Sequence, residues 1–192
     1  MTTGRIELGA SGRAVAVNVK RLRKARGWSL RALSEALTAA GRGLSQDAIN
    51  KIENGAEEGT AKQIRRVDVD DLMALAVVFE VNPSALLLPF TDLPSDPAPV
   101  TGVGSVPAIA AWLWADGRGR IRYNPDRRRE TQDMESVLYG RPEWLHPGSH
   151  ALSADASKAL GLAEGEALVL EYDEQGMPFM RKRGARRERD DG

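Results

Sequence analysis

Residues 44–55 read L-S-Q-D-A-I-N-K-I-E-N-G, and no other stretch limits the fold of this chain so narrowly. Ser45 is a good N-cap whose hydroxyl can accept from the amide of Asp47 or Ala48, so a helix starts there. Ala48, Ile49 and Ile52 then make a narrow apolar stripe, while Gln46, Asp47, Asn50 and Lys51 project from other faces. Asn54-Gly55 reads as the stop, because glycine takes the left-handed conformation without a Cβ clash. A helix of about three turns does not stand alone in water, so the flanking sequence must hold it.

It carries the means to do so. Residues 15–26 (V-A-V-N-V-K-R-L-R-K-A-R) have Val15, Val19 and Leu22 as a seam and end at Gly27. Residues 29–37 (S-L-R-A-L-S-E-A-L) place Leu30, Leu33, Ala36 and Leu37 at helical spacing behind a Ser29 cap. Residues 70–80 (D-D-L-M-A-L-A-V-V-F-E) open with acids that suit a helix N-terminus and carry Leu72, Leu75, Ala76 and Phe79 on one side. Asn82-Pro83 supplies a cap and first residue for a last helical turn over 84–88. Between the second and third helices, residues 38–43 (T-A-A-G-R-G) either extend the second helix through Ala40 or bulge at Gly41 and Gly43.

In this order, G-W-S-L-R-A-L-S-E-A-L, L-S-Q-D-A-I-N-K-I-E-N-G and L-M-A-L-A-V-V-F-E-V-N-P-S-A-L-L resemble the five-helix helix-turn-helix domain of the phage repressor and Cro family, often called XRE-type. The specific part is I-x-x-I-E-N-G, together with Leu33 and Arg23. The resemblance implies a DNA-binding domain over residues 13–90, with double-stranded DNA as partner. Gln46, Asp47 and Lys51 match positions that usually face base edges, and Asn50 lies between them as a further candidate. Glutamine can pair bidentately with adenine, lysine can donate to guanine, and aspartate can accept from cytosine. Asn54 matches a frequent phosphate contact, and Ser45 sits where helix amides face phosphate. Arg23 and Glu53 match a structural ion pair that joins the first helix to the third in many relatives.

Charge runs the same way. From Arg13 to Arg66 twelve Lys or Arg stand against five Asp or Glu, whereas the whole chain balances at zero. Arg13, Lys20, Arg21, Lys24, Arg31 and Arg42 are the phosphate candidates, since neutralising the DNA backbone gives sequence-independent affinity. Lys62, Arg65 and Arg66 cluster in the next loop, where they either flank the DNA backbone or are simply solvated.

The fold class expected is mainly α, with a partly ordered extension. Residues 1–12 read as a flexible arm and 91–105, with Pro94, Pro97 and Pro99, as a linker without fixed structure. In the region 106–181, residues 107–115 form a short helix capped by Ser105 and stopped near Gly117. Its Trp112 and Trp114 need an apolar surface to dock on, either the first domain or a second subunit. With Leu86, Leu87, Leu88 and Phe90 they are the candidates for a homodimer contact. Arg127, Arg128 and Arg129 read as a solvated helix end or a nucleic-acid contact. A helix over 153–160 and a hairpin of 167–172 with 177–181 follow, then a disordered tail over 182–192.

Other chemistry finds little support. The chain has no cysteine, which excludes disulfides and thiol catalysis. His146 and His150 stand four apart with Pro147 and Gly148 between them, which argues against a helical metal pair. No phosphate-binding glycine loop is present, so neither cofactor nor metal nor catalytic residue is expected. The longest apolar runs fall far short of the roughly 20 residues that span a bilayer, and a cytoplasmic protein is expected. The competing class is a protein-interaction module, antitoxin-like or an adaptor, that binds a protein partner through the helical domain or the C-terminal region.

Overall fold

Val15, Ala16, Val19 and Leu22 form the buried side of helix α1 (Ala10–Ala25), around which the first part of the chain packs. The computed structural model describes residues 7–142, 163, 166–172 and 178–184, and the chain divides into two units, 1–129 and 130–192. The described residues are mainly helical, with two antiparallel two-stranded sheets.

In the first unit α1 is followed by α2 (Leu30–Ala39), α3 (Gln46–Asn54), α4 (Val69–Val78) and α5 (Ser84–Leu87). Leu33 and Leu37 from α2, Ile49 and Ile52 from α3, Leu75 and Ala76 from α4, and Leu86 from α5 join the α1 seam, Leu44 and Phe79 in one core. Each large aliphatic side chain so buried contributes about 1.5–3 kcal/mol, which is what holds helices too short to persist alone. Caps fix where they begin: Ser29 Oγ accepts from the Ala32 amide at 3.1 Å, and Asn82 Oδ1 accepts from the Ala85 amide at 2.9 Å. Gly27, at φ 67°, turns the chain out of α1. Trp28 then stacks on Phe79 with ring centroids 6.1 Å apart, and Arg26 lies over both rings.

Several expected boundaries move. Helix α1 begins at Ala10, so the end of the expected arm is helical; the Ser11 amide donates to Thr101 Oγ1 at 3.0 Å and the Thr101 amide to Ser11 Oγ at 3.2 Å. Of the two alternatives at 38–43 the longer helix holds, with Ala40 as its cap and Gly41 turning the chain at φ 81°. The stretch expected to be a structureless linker contains strands β1 (Pro97–Val100) and β2 (Gly104–Pro107), paired from Pro97 opposite Pro107 to Val100 opposite Gly104. Proline reads as a breaker, but each strand of a ribbon has an outer edge where no ladder donor is required.

Beside this ribbon lies α6 (Ala108–Ala115), and Leu88, Ala98, Val100, Ala108 and Ala111 make a second small core. Ser105 is not the helix cap. It belongs to β2, and the Ala108 and Ile109 amides donate instead to the carbonyls of Asp96 (2.8 Å) and Pro94 (3.0 Å). Trp112 packs on the small core while Trp114 stays 44% exposed. Leu86 and Leu88, expected at a dimer surface, are buried within the unit.

Helix α7 (Arg129–Gly140) lies outside the expected elements apart from Arg129 of the basic run, which opens it and is the last residue of the first unit. In the second unit β3 (Ala167–Tyr172) pairs antiparallel with β4 (Pro178–Arg183), with Leu168 opposite Lys182 and Leu170 opposite Met180. The hairpin thus runs past Arg181, and Lys182 and Arg183 of the expected tail are in strand. The helix expected at 153–160, and His146 and His150, lie outside the described residues. Among the described residues no helix is long and apolar enough to cross a membrane, and no group of His, Cys, Asp and Glu could hold a metal.

Candidate nucleic-acid interface

Helix α3 has two unlike sides. Ile49 and Ile52 are at most 1% exposed and Glu53 is buried with them, whereas Ser45, Gln46, Asp47 and Asn50 are exposed and Lys51 is half-buried. Ser45 Oγ accepts from the Ala48 amide at 3.1 Å and so opens the helix. Within the outward set, Lys51 Nζ lies 2.7 Å from Asp47 Oδ2, one turn away. Exposed pairs of this spacing contribute about 0.3–0.5 kcal/mol, so either partner can be drawn to a ligand at little cost.

The inner side is held by more than apolar contact. Arg23 meets Glu53 with a two-pronged pair, Nε to Oε1 at 2.6 Å and Nη2 to Oε2 at 2.8 Å, and its Nη1 donates to the Trp28 carbonyl at 2.8 Å. Both side chains are largely buried. The hydrogen bond to Glu53 raises the Arg23 pKa against the opposing effect of burial, so the guanidinium stays charged.

Gly55 ends α3 for a different reason from the one expected. Its backbone is right-handed helical, φ −66° and ψ −8°. What requires glycine is space: a Cβ there would lie 2.5 Å from Leu8 Cδ1, 3.1 Å from the Ile52 carbonyl oxygen and 3.3 Å from Ala16 Cβ.

A residue outside the expected set ties the ends of α3 to the neighbouring helix. Asp71, fully buried, accepts from Arg42 Nε on Oδ1 at 2.9 Å and from Arg65 Nη1 on Oδ2. Arg42 Nη2 also reaches Asp68 Oδ2 at 2.7 Å, and the Arg65 amide donates to the Lys51 carbonyl at 3.1 Å. Asp68 and Asp71 form a reciprocal capping box at the start of α4. Burial acts to raise the Asp71 pKa, but hydrogen bonds from Arg65 and Arg42 outweigh it and hold the carboxyl below its ordinary value. The sequence signal is Asp68-x-x-Asp71 before an apolar run; with the helix start expected at Asp70, Asp71 reads only as a complement to the helix dipole.

The phosphate candidates divide accordingly. The Arg42 guanidinium is held between two carboxylates instead of standing open in the loop. Arg21 faces the end of α5: its Nε donates to Asn18 Oδ1 at 3.1 Å, its guanidinium sits 4.3 Å from the centre of the Phe90 ring, and burial lowers its pKa. Asn18 in turn donates to the carbonyls of Leu86 (3.1 Å) and Leu88 (2.7 Å). Asn54 Nδ2 donates to the Gln63 carbonyl at 3.0 Å and so closes the loop after α3. Arg31 pairs with Glu35, Arg13 with Glu58, and Lys62 with Glu57, while Arg66 donates to the Glu7 carbonyl. Lys24 is exposed and Lys20 half-buried, and neither makes an ion pair among the described residues.

No protein-family model matches the chain, nor does any curated protein or solved structure.

Proposed function

We propose that this chain is a sequence-specific DNA-binding regulator of the XRE-type helix-turn-helix kind, cytoplasmic, without catalytic activity, acting by occupancy of its site as a homodimer. The observation that carries this reading is the division of α3: a core stripe and the Arg23–Glu53 pair on one side, and exposed Gln46, Asp47 and Asn50 beside Lys51 on the other. A short helix held rigidly on one face with amide, carboxylate and ammonium groups on the other suits base edges in a major groove. Lys20 and Lys24 supply positive charge for phosphates, and the amides at the Ser45 end of α3 suit a phosphate as well. The exposed Phe90, Leu93, Ile109 and Trp114 supply apolar surface for a second subunit.

A protein-interaction module is favoured by a separate feature, the exposed apolar row Val69, Met73 and Val77 along α4. Substitutions separate the two readings. On a duplex that the parent protein selects, Gln46→Ala and Asn50→Ala are each expected to weaken binding by about 1–3 kcal/mol and to relax preference at one base position. Lys24→Ala is expected to weaken binding to all duplexes alike. Uniform loss from all three substitutions would remove the base-reading role from α3.

A further inference from the structure

We infer that Asp71 is the positioning residue for α3: its one buried carboxylate fastens both loops that bracket the helix to the start of α4, and so fixes where the outward face of α3 stands. The importance of that face for recognition rests on the DNA reading; the fastening does not.

The division of labour at the start of α4 points this way. Capping the helix needs only the Asp68 side chain, whose Oδ1 accepts from the Asp71 amide at 2.7 Å. Asp71 returns a longer contact of 3.4 Å to the Asp68 amide and gives its two oxygens to different guanidinium groups. Arg42 precedes α3 and Arg65 follows it, so each oxygen holds one flank. The Arg65 limb continues into α3, because its amide donates to the carbonyl of Lys51, one of the outward residues. The Arg23–Glu53 pair acts on the last turn of α3, and the core takes in Leu44 of the loop before α3 and touches Val67 of the loop after it, but these are separate contacts, whereas the Asp71 carboxylate joins both loops at one point. Stability alone does not demand this arrangement, since apolar side chains of similar volume commonly replace a buried ion cluster without loss. A forked ionic contact sets a direction that an apolar contact does not.

Single substitutions can probe it without leaving the carboxylate unpaired. Arg42→Gln and Arg65→Gln each leave Asp71 one guanidinium, and both arginines are partly exposed, so each variant is expected to fold. Amide hydrogen exchange on the full chain is the readout. In Arg42→Gln, exchange over residues 41–51 is expected to quicken about tenfold or more relative to α1 and α4, and in Arg65→Gln the same is expected over 51–67. Unchanged exchange in these segments, or a rise spread evenly over α1, α2 and α4, would reduce Asp71 to a general stabiliser.

Arg42→Lys adds the binding test. It keeps the charge, and hence the non-specific attraction to DNA, but a single amine does not reproduce the fork between Asp68 and Asp71. On a duplex selected by the parent protein, the ratio of specific to non-specific affinity is expected to fall about tenfold with non-specific affinity unchanged. An unchanged ratio would mean that the fastening does not position the reading face. If the parent protein selects no duplex, the DNA reading fails and the exchange data still decide the fastening.

Discussion

At the scale of single residues, two buried carboxylates set the behaviour of the first unit. Glu53 and Arg23 are largely buried and mutually satisfied. Glu53→Ala leaves the guanidinium without its counter-charge and is expected to lower unfolding stability by about 3–5 kcal/mol in urea titration. A loss under about 1 kcal/mol would class the pair with surface ion pairs. Asp71 makes a claim about pH. Its carboxyl is held below the ordinary value in the folded chain, so on acidification the unfolded chain takes up this proton first. The contribution is fully present above the unfolded value of about pH 4 and is lost as pH falls through the folded value. The melting temperature of Asp71→Asn is therefore expected to lie below that of the parent at about pH 6, with the gap closing toward about pH 3. A gap that stays constant or widens on acidification would contradict the depressed carboxyl.

At the scale of elements, α3 depends on close approach to α1 at Gly55. Alanine there has an ordinary φ and gains about 0.4–1 kcal/mol from the unfolded chain, but its methyl group is crowded by the Ile52 carbonyl and Ala16. Overpacking of this kind costs about 1–3 kcal/mol, so Gly55→Ala is expected to melt lower than the parent, and a higher melting temperature would contradict the tight contact. How the sequence disclosed these elements follows from the range of the forces involved. Ser29, Ser45 and the stripe of α3 were legible because a cap and a helical period act within a few residues. The Arg23–Glu53 pair spans 30 residues and became legible only through the family resemblance. Asp71 was not legible as a junction, because one partner stands 29 residues away and its charge had a simpler local use. Proline and glycine between 94 and 104 mark a turn and a loose linker alike, and the small core of Leu88, Ala98 and Ala111 decides for the ribbon. Gly55 is ambiguous in sequence for the same kind of reason, since glycine signals equally an unusual φ and a lack of room, and here it is the room.

For the whole molecule, charge bears on function most directly once pairing is taken into account. Of the basic residues between 13 and 66, Arg13, Arg23, Arg31, Arg42, Lys51, Lys62 and Arg65 each have an acidic partner in the fold. Arg21 lies against Phe90 and Arg26 over Trp28 and Phe79. The surplus counted along the sequence thus overstates what is open to phosphate, and the proposed DNA reading leans the more on α3. Selection from a random duplex library with the purified full chain, at two salt concentrations, tests this central claim most directly. A defined, two-fold symmetric site is expected to be enriched at both, with half-sites about one helical turn apart if a dimer reads them. Binding that disappears at the higher salt with no sequence enriched at the lower would contradict the account and turn attention to a protein partner.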